Sequence, residues 1–209
     1  EFSRRLVAEN NLSNDDLILP LFVCEGNNVE DPIQSMPGVS RYSIDKLLHK
    51  VEEAVRFSIP AIAIFPQIEA SLKNAEGSLA FDENNLVCRS IKNIKKEFSG
   101  IGIICDVALD PFTDHGHDGL VINDKIDNDK TLDILEKQAL VQAHAGCDVI
   151  APSDMMDGRV GRIRTVLDSN NFQDTLILSY AAKYASGFYG PFRDAIGSGS
   201  KLGKDGKLT

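Results

Sequence analysis

The alternation of short apolar runs with amphipathic stretches restricts this chain to few folds. Five apolar runs of strand length are separated by four stretches in which apolar residues recur at helical spacing. Alternating strands and helices predict an α/β fold with a parallel sheet, and the strand patterns alone do not distinguish an open sheet from a barrel. The predicted strands are residues 17–23, 61–65, 102–107, 149–152 and 176–180, and the predicted helices lie within 43–59, 85–98, 131–145 and 160–167.

The composition narrows the class of protein. Of the 209 residues, 43% are hydrophobic and 25% are charged, so we interpret residues 1–209 as a single globular domain. The formal net charge of -9 argues against nucleic acid and anionic membranes as general partners, because both need a basic face. No apolar run approaches the roughly 18 to 20 residues that span a bilayer, and the N-terminus lacks the apolar core of a signal peptide. The 4 cysteines show no Cys-x-x-Cys spacing, so we expect a protein of the reducing cytoplasm.

A lysine follows the last predicted strand, where parallel-sheet enzymes carry their reactive groups. Residues 176–194 combine a short apolar strand with a loop rich in Gly, Pro and aromatic residues, and Lys183 lies just beyond the strand. If strand alternation continues past Tyr180, Lys183 shares a face with Ser179, and Tyr180 takes the other. Apolar neighbours and the like charge of Arg193 would favour the neutral amine, which can form a Schiff base. The alternative is an ordinary surface lysine.

Polar side chains also follow the third and fourth predicted strands. Asp106 stands at one strand end, and Ser153 and Asp154 stand at the next; in a barrel these ends would meet the end that carries Lys183. Asp106 is interpreted either as a carboxylate that transfers protons or binds an ammonium group, or as a loop residue that caps a turn. A second cluster allows a metal site or ordinary loop residues, and its members are Asp110, Asp114, His115, His117 and Asp118.

Several long segments of the chain resemble one enzyme family. Ser179 to Ala195, Ser-Tyr-Ala-Ala-Lys-Tyr-Ala-Ser-Gly-Phe-Tyr-Gly-Pro-Phe-Arg-Asp-Ala, closely resembles a signature of the 5-aminolevulinate dehydratases, also called porphobilinogen synthases, of tetrapyrrole biosynthesis. The other similar segments keep the family's order, and the resemblance covers essentially the whole chain. They are Leu17 to Val23 with Ser35 to Ser43, Asp106 to Gly119, and Ala151 to Arg164.

The resemblance implies a (β/α)₈ TIM barrel. This chain would carry about the first five βα units and would be truncated at both ends, without the N-terminal arm that the family uses in oligomer contacts. Residues 197–207 would form a mobile lid over the site. Five strands of a barrel would leave two apolar edges exposed, so we expect residues 1–209 not to form a stable closed domain alone.

The resemblance also implies the chemistry. In the family, two lysines each form a Schiff base with one 5-aminolevulinate, and the two molecules condense to porphobilinogen with loss of two waters. Lys183 matches one of these lysines. The other lies in a Met-Val-Lys-Pro-type run that residues 1–209 do not contain, so we expect them to be inactive alone. The resemblance favours a catalytic role for Asp106. The substrate-binding residues that it implies are Arg193, Lys207, Phe188 and Ser153.

For metal binding, the resemblance points to a hard cation. Zinc-dependent members of the family carry three cysteines where this chain has Ala108, Asp110 and Asp118, which implies that a thiolate zinc site is absent. The pattern is similar to that of aspartate-rich members that magnesium activates, and Asp110 and Asp118 are therefore candidate Mg²⁺ ligands. His115 and His117 would be structural. The family forms large homo-oligomers, commonly octamers, and we expect the same here.

Two alternatives stay open at this point. Another class I Schiff-base barrel enzyme, an aldolase, would share Lys183 but bind a single carbonyl substrate, so a substrate panel would separate the two. A non-catalytic homologue with a role in assembly would keep its biological activity in a Lys183→Ala variant.

Overall fold

The fold is built on one parallel sheet with a small separate hairpin. The computed structural model describes residues 1–184, 186–187 and 189–197. In that part the strands are β1 (Ile18–Val23), β2 (Glu30–Pro32), β3 (Ser40–Tyr42), β4 (Ala61–Pro66), β5 (Gly102–Val107), β6 (Val121–Ile122), β7 (Lys125–Ile126), β8 (Val149–Pro152) and β9 (Leu176–Ile177). The sheet order is β2-β3-β1-β4-β5-β8-β9, and β6 pairs with β7. Every neighbouring pair in the large sheet is parallel except β2 with β3.

The helices of the described residues are α1 (Phe2–Leu6), α2 (Ile44–Arg56), α3 (Leu86–Glu97), α4 (Asn128–Ala145), α5 (Arg159–Ser169) and α6 (Tyr189–Ile196). The side chain of Asn85 caps α3 by accepting the backbone N–H of Cys88 at 2.8 Å, and Asp127 caps α4 through Lys130 at 3.0 Å. Gly146 ends α4 with a φ of 106°, which glycine adopts without strain. None of the helices in the described ranges is both long and apolar enough to cross a lipid bilayer.

Strand alternation divides the buried side chains between two faces of the sheet. Ile62 and Ile64 of β4 and Ile103 of β5 point to the larger core, beneath the helices, and are fully buried. On the opposite face Ala63, Ile104 and Ala151 form a small core of their own. Both faces are therefore dry, which explains why these strands are continuous apolar runs in the sequence.

The predicted fold class is confirmed. Five of the strands, β1, β4, β5, β8 and β9, are parallel neighbours in the order in which they occur along the chain, and they form part of a TIM barrel. Helices α2, α3, α4 and α5 lie between successive members of this set, as the periodicity predicts. Polar groups at the carboxyl ends of these strands consequently face one region.

Three features differ from the sequence-based expectation. The predicted loop after β1 contains β2 and β3, and β3 pairs with Phe22 and Val23, so this end of the β1 edge is covered although Ile18 at the other end stays 48% exposed. Strand β9 is shorter than predicted, although the backbone N–H of Tyr180 still reaches the carbonyl of Pro152 at 3.3 Å. Residues 189–196 were expected to be loop and form α6 instead. There Pro191 occupies the first helical turn, where its missing N–H costs nothing.

Candidate active site

A pocket of about 250 Å³ opens at the carboxyl ends of the barrel strands. It lies between the strand ends on one side and α6 on the other. Charged, hydroxyl and aromatic groups all contribute to its wall, which gives it both ion-binding and apolar surface. The lining residues are Phe65, Asp106, Asp110, Asp118, Ser153, Tyr180, Lys183, Tyr184, Tyr189 and Phe192.

Asp106 lies at the end of β5 with its carboxylate in the pocket wall. Its side chain points to the same face of the sheet as that of Ile104. Its Oδ1 is buried with no hydrogen-bond partner among the described residues. Burial raises the pKa of the carboxyl from 3.8 to about 7, although the Ser153 hydroxyl and the Lys183 ammonium both lower it. Asp106 can therefore gain or lose a proton near neutral pH, which a general acid or base must do.

Asp110 and Asp118 form a pair of carboxyls in the same pocket. Their side chains are hydrogen-bonded to each other, and burial together with the charges of Asp118 and Asp106 raises the pKa of Asp110 well above its ordinary value. Asp110 therefore keeps its proton to a higher pH than an ordinary aspartate does. A cation that enters the pocket would therefore change the protonation of several carboxyls.

Lys183 lines the pocket together with Tyr180, and this corrects the predicted alternation. Ile177 packs against the helix-side core, so the strand places Tyr180 on the pocket side and Ser179 on the other. Regular pairing ends at Tyr180, and the chain then bends so that Lys183 also faces the pocket. The lysine is exposed to solvent at the pocket mouth. Its ammonium group is close enough to lower the pKa of Asp106.

The loop after β8 supplies Ser153 and a buried ion pair. Asp154 accepts the backbone N–H of Met156 at 2.7 Å, and its second oxygen lies 3.5 Å from Nε of Arg159. Burial raises the pKa of Asp154 to about 6, against the opposing effects of the Met156 N–H and of Arg159. Arg159 also donates from Nη2 to the carbonyl oxygen of Tyr180 at 3.2 Å. The pair therefore links the Ser153 loop to the strand end that precedes Lys183.

Helix α6 covers one side of the pocket. The ring of Phe192 meets that of Phe65 edge to face at a centroid distance of 5.3 Å, and Phe22 lies 6.2 Å from Phe192. Arg193 is exposed, and its guanidinium stacks over the ring of Tyr189 at 4.8 Å. Arg193 is not a lining residue of the pocket among the described residues, but Tyr189, on which it stacks, is one.

Of the predicted site residues, the structure brings Asp106, Asp110, Asp118, Ser153 and Lys183 into one pocket. Arg193 stands on the helix beside it. Phe188 and Lys207 lie outside the described residues. The roles assigned to all of these residues stay predictions, since proximity alone does not establish a role.

The metal prediction can be compared with the donor chemistry of the pocket. Across the described ranges, no group of three or more histidine, cysteine, aspartate or glutamate side chains is arranged to hold a metal ion. Asp110 and Asp118 offer two carboxylates, and Mg²⁺ commonly takes one or two carboxylates with water as its remaining ligands. His115 and His117 instead accept backbone N–H groups within their own loop, both at 3.2 Å. The two aspartates therefore fit a hard cation in type, and the histidines organise the loop.

Sequence reasoning missed most of the aromatic wall. Phe65 follows the rule that strand ends face the site, and that rule could have identified it. Tyr184, Tyr189 and Phe192 follow the last strand in a segment whose path no local pattern fixes. Tyr180 was missed because the alternation was extended to Lys183, beyond the point where strand pairing ends, and so placed the lysine on the face opposite Tyr180.

Comparisons with known proteins agree with one another. The family model described as Delta-aminolevulinic acid dehydratase matches residues 1–207. The delta-aminolevulinic acid dehydratase of Bradyrhizobium diazoefficiens is 58% identical over 205 residues, which is 98% of this chain and 58% of the relative. That of Chlamydia pneumoniae is 47% identical over 195 residues, 93% of this chain and 59% of the relative.

A solved structure is also similar. The crystal structure of delta-aminolevulinic acid dehydratase (porphobilinogen synthase) from Toxoplasma gondii ME49, in complex with the reaction product porphobilinogen, matches with a TM-score of 0.92 and 44% identity. The match covers 99% of this chain and 60% of that chain. This chain thus spans 58% to 60% of the length of these three relatives.

Proposed function

This chain belongs to the delta-aminolevulinic acid dehydratase family, and on that premise we propose that the protein containing it condenses two molecules of 5-aminolevulinate to porphobilinogen. The reaction releases two waters and makes the protein a lyase of tetrapyrrole biosynthesis. The chain covers only 58% of the first relative, so the proposal concerns the intact protein. Residues 1–209 supply one part of its active site.

The first proposed step is covalent capture of one substrate by Lys183. The neutral amine attacks the ketone carbon, and the ketone oxygen takes up protons and leaves as water. The product is a protonated Schiff base, whose positive charge draws electrons from the adjacent carbon. The site needs a nearby group that removes the ammonium proton and returns a proton to the leaving oxygen.

Asp106 is the group that we propose for this proton transfer. Its carboxyl lies in the same pocket wall as Lys183, and its pKa of about 7 lets both protonation states be populated at neutral pH. The Ser153 hydroxyl lowers that pKa, as a group that hydrogen-bonds the ionised carboxylate does. Ser153 would thereby hold the carboxylate in place and offer a hydrogen bond to the substrate.

Arg193 is proposed to hold the carboxylate of one substrate molecule. A guanidinium binds a carboxylate bidentately, and α6 carries this one next to Tyr189 at the pocket wall. By family resemblance, Lys207 would be its partner and Phe188 would pack on the substrate chain.

Magnesium and self-association belong to the same proposal. Asp110 and Asp118 would hold the cation, which would supply positive charge that keeps both carboxylates ionised. Calorimetric titration of the intact protein and of an Asp110→Asn variant with Mg²⁺, which we expect to bind more weakly to the variant, would test this. We propose a homo-oligomer, an octamer as in the family, and the mass of the intact protein in solution would test that.

One observation carries the proposal. Lys183, Asp106 and Ser153 come from the ends of three different strands and line a single pocket. An ordinary surface lysine needs neither a proton acceptor nor a pocket. The convergence of a potential nucleophile with a carboxyl that titrates near neutrality is what Schiff-base chemistry requires.

Borohydride trapping tests the proposal. The intact protein is incubated with 5-aminolevulinate, reduced with sodium borohydride, digested and mapped by mass spectrometry. We expect an adduct on the peptide that contains Lys183 and formation of porphobilinogen in the unreduced sample. Lys183→Ala should abolish that adduct and the activity. The matched control is Lys92→Ala on α3, far along the chain from the strand end, which should leave both unchanged.

The outcomes separate the alternatives. An adduct on Lys183 with other keto acids but without porphobilinogen formation would favour an aldolase. Absence of any adduct on Lys183 in an active enzyme would refute its assignment as a nucleophile.

A further inference from the structure

The roof of the pocket is attached to the side of the sheet formed by β1, β2 and β3, strands that line none of the pocket in the part of the chain that the structure describes. Helix α6 brings Tyr189 and Phe192 to the pocket wall and carries Arg193. Its last turn, with Ala195 and Ile196, is buried against the β1 side of the barrel, far from the strand end that bears Lys183. The position of this turn decides where the side chains of α6 point.

The carbonyl groups at the end of α6 are bound by one arginine from β3. Nε of Arg41 donates to the carbonyl oxygen of Ala195 at 2.6 Å, and Nη2 donates to that of Asp194 at 2.6 Å. The last carbonyls of a helix have no partner inside it and carry partial negative charge. A cation there both donates hydrogen bonds to these carbonyls and offsets their charge. Only 15% of the Arg41 side chain is exposed, which strengthens these charge-assisted bonds.

The orientation of Arg41 is itself fixed. Its Nη1 donates to the carboxylate of Asp31 on β2 at 2.6 Å, so the guanidinium uses one edge for Asp31 and the others for α6. A second contact comes from Ser35, whose hydroxyl donates to the Asp194 side chain at 2.5 Å. The β2–β3 pair thus holds the Arg41 guanidinium in the orientation that binds the end of α6.

We propose that Arg41, oriented by Asp31, is a positioning residue that fixes α6 over the pocket and so sets the affinity for the substrate carboxylate. The inference rests on the proposed function in one respect, because it takes Arg193 as the group that binds that carboxylate. Lys183 and Asp106 lie at other strand ends, and their positions do not depend on Arg41. Loss of Arg41 should therefore raise KM much more than it lowers kcat.

Arg164 provides a matched control. It also makes two hydrogen bonds to carbonyl oxygens, of Thr175 at 2.7 Å and Phe172 at 2.8 Å, and one to a carboxylate, of Asp168 at 2.8 Å. Its contacts lie before β9, at the opposite end of that strand from the pocket. Arg164→Gln should therefore lose a similar amount of stability without moving α6.

The experiment uses the intact protein with Arg41→Gln and Arg164→Gln variants. Steady-state rates of porphobilinogen formation give KM and kcat, and amide hydrogen exchange of peptides covering residues 189–197 reports on α6. We expect a roughly tenfold rise in KM for Arg41→Gln, a kcat within about twofold of the parent, and faster exchange in α6. Arg164→Gln should show neither the KM change nor the α6 change.

Two further variants keep the inference falsifiable if Arg41→Gln does not fold. Arg41→Lys keeps the positive charge but cannot reach both α6 carbonyls and Asp31 at once. Asp31→Asn weakens only the contact that orients the Arg41 guanidinium. Each of these variants should therefore raise KM by less than Arg41→Gln does. Unchanged KM and unchanged α6 exchange in an active enzyme would overturn the inference. A parent protein without porphobilinogen synthase activity would refute the proposed function instead, and the exchange measurement would still decide whether Arg41 holds α6.

Discussion

At the scale of single residues, burial is the common cause of the unusual acid–base behaviour in this pocket. It is the largest effect on Asp106, Asp110 and Asp154, and in each case it raises the pKa. A sequence shows that an aspartate follows an apolar strand, which left Asp106 open as a site residue or a turn cap until the family resemblance favoured the site. It does not show how much protein surrounds the carboxyl, which is why these shifts had to come from the structure.

The raised pKa of Asp106 predicts a pH-dependent stability. Its pKa is about 7 in the fold against an ordinary 3.8, so the folded state holds a proton that the unfolded chain has lost. The contribution of this group to stability is therefore fully present below about pH 4 and falls as pH rises towards 7. At about pH 8 the free energy of unfolding of Asp106→Asn should exceed that of the parent by on the order of 2 kcal/mol. At about pH 4 the two values should be similar.

Urea unfolding of the intact protein at both pH values checks this. Asp114→Asn is the matched control, since Asp114 is an exposed aspartate of the loop after β5 and should give no comparable gain. An Asp106→Asn protein that is less stable than the parent at the higher pH would contradict the argument.

At the scale of elements, predictions were best where the periodicity of the sequence agrees with tertiary packing. Helix α3 was predicted as 85–98 and spans Leu86–Glu97, because its apolar positions all face one core. Helix α6 was missed because Gly190 and Pro191 at its start are typical of a loop. Its helical form depends on contacts with residues far away in sequence, Arg41 in particular, that no local pattern contains.

Helix capping gives a prediction at this scale. Asn85 is buried, and besides capping α3 it donates from Nδ2 to the carbonyl oxygens of Leu79 and Ala80, both at 3.1 Å. Asn85→Ala removes the cap and takes a donor from the buried Ala80 carbonyl, so it should lower the free energy of unfolding by about 2 to 4 kcal/mol. Asp127→Ala, which removes a more exposed cap from α4, should lower it by about 1 kcal/mol. Equal losses in denaturant titrations of the two variants would refute this interpretation.

At the scale of the whole molecule, the far edge of the sheet is the notable feature. In the described residues β9 pairs only with β8, and the apolar side chains of Leu176 and Leu178 are 64% and 43% exposed. The parallel order of the strands was predictable from the alternating pattern, because consecutive βα units place consecutive strands side by side. No local pattern in residues 1–209 predicts a strand that would pair with the outer edge of β9.

This edge predicts the behaviour of residues 1–209 expressed alone. Unpaired strand groups and exposed leucines favour association with other chains, so the fragment should be less stable than the intact protein and should bind a hydrophobic dye. We expect an earlier urea midpoint, stronger dye fluorescence and concentration-dependent aggregation. Unfolding curves of fragment and intact protein that superimpose would contradict this.

The attachment of α6 to Arg41 also has a consequence for how the molecule is assembled. Arg41 and Ala195 are 154 positions apart, so this contact closes one of the longest loops in the chain. Contacts between neighbouring βα units close far shorter loops and form sooner during folding. A newly synthesised molecule would therefore have Lys183 and the pocket carboxyls in place while the cavity is still open to water. It would acquire its roof only when the β2–β3 pair meets α6, which follows it in the chain by about 150 positions.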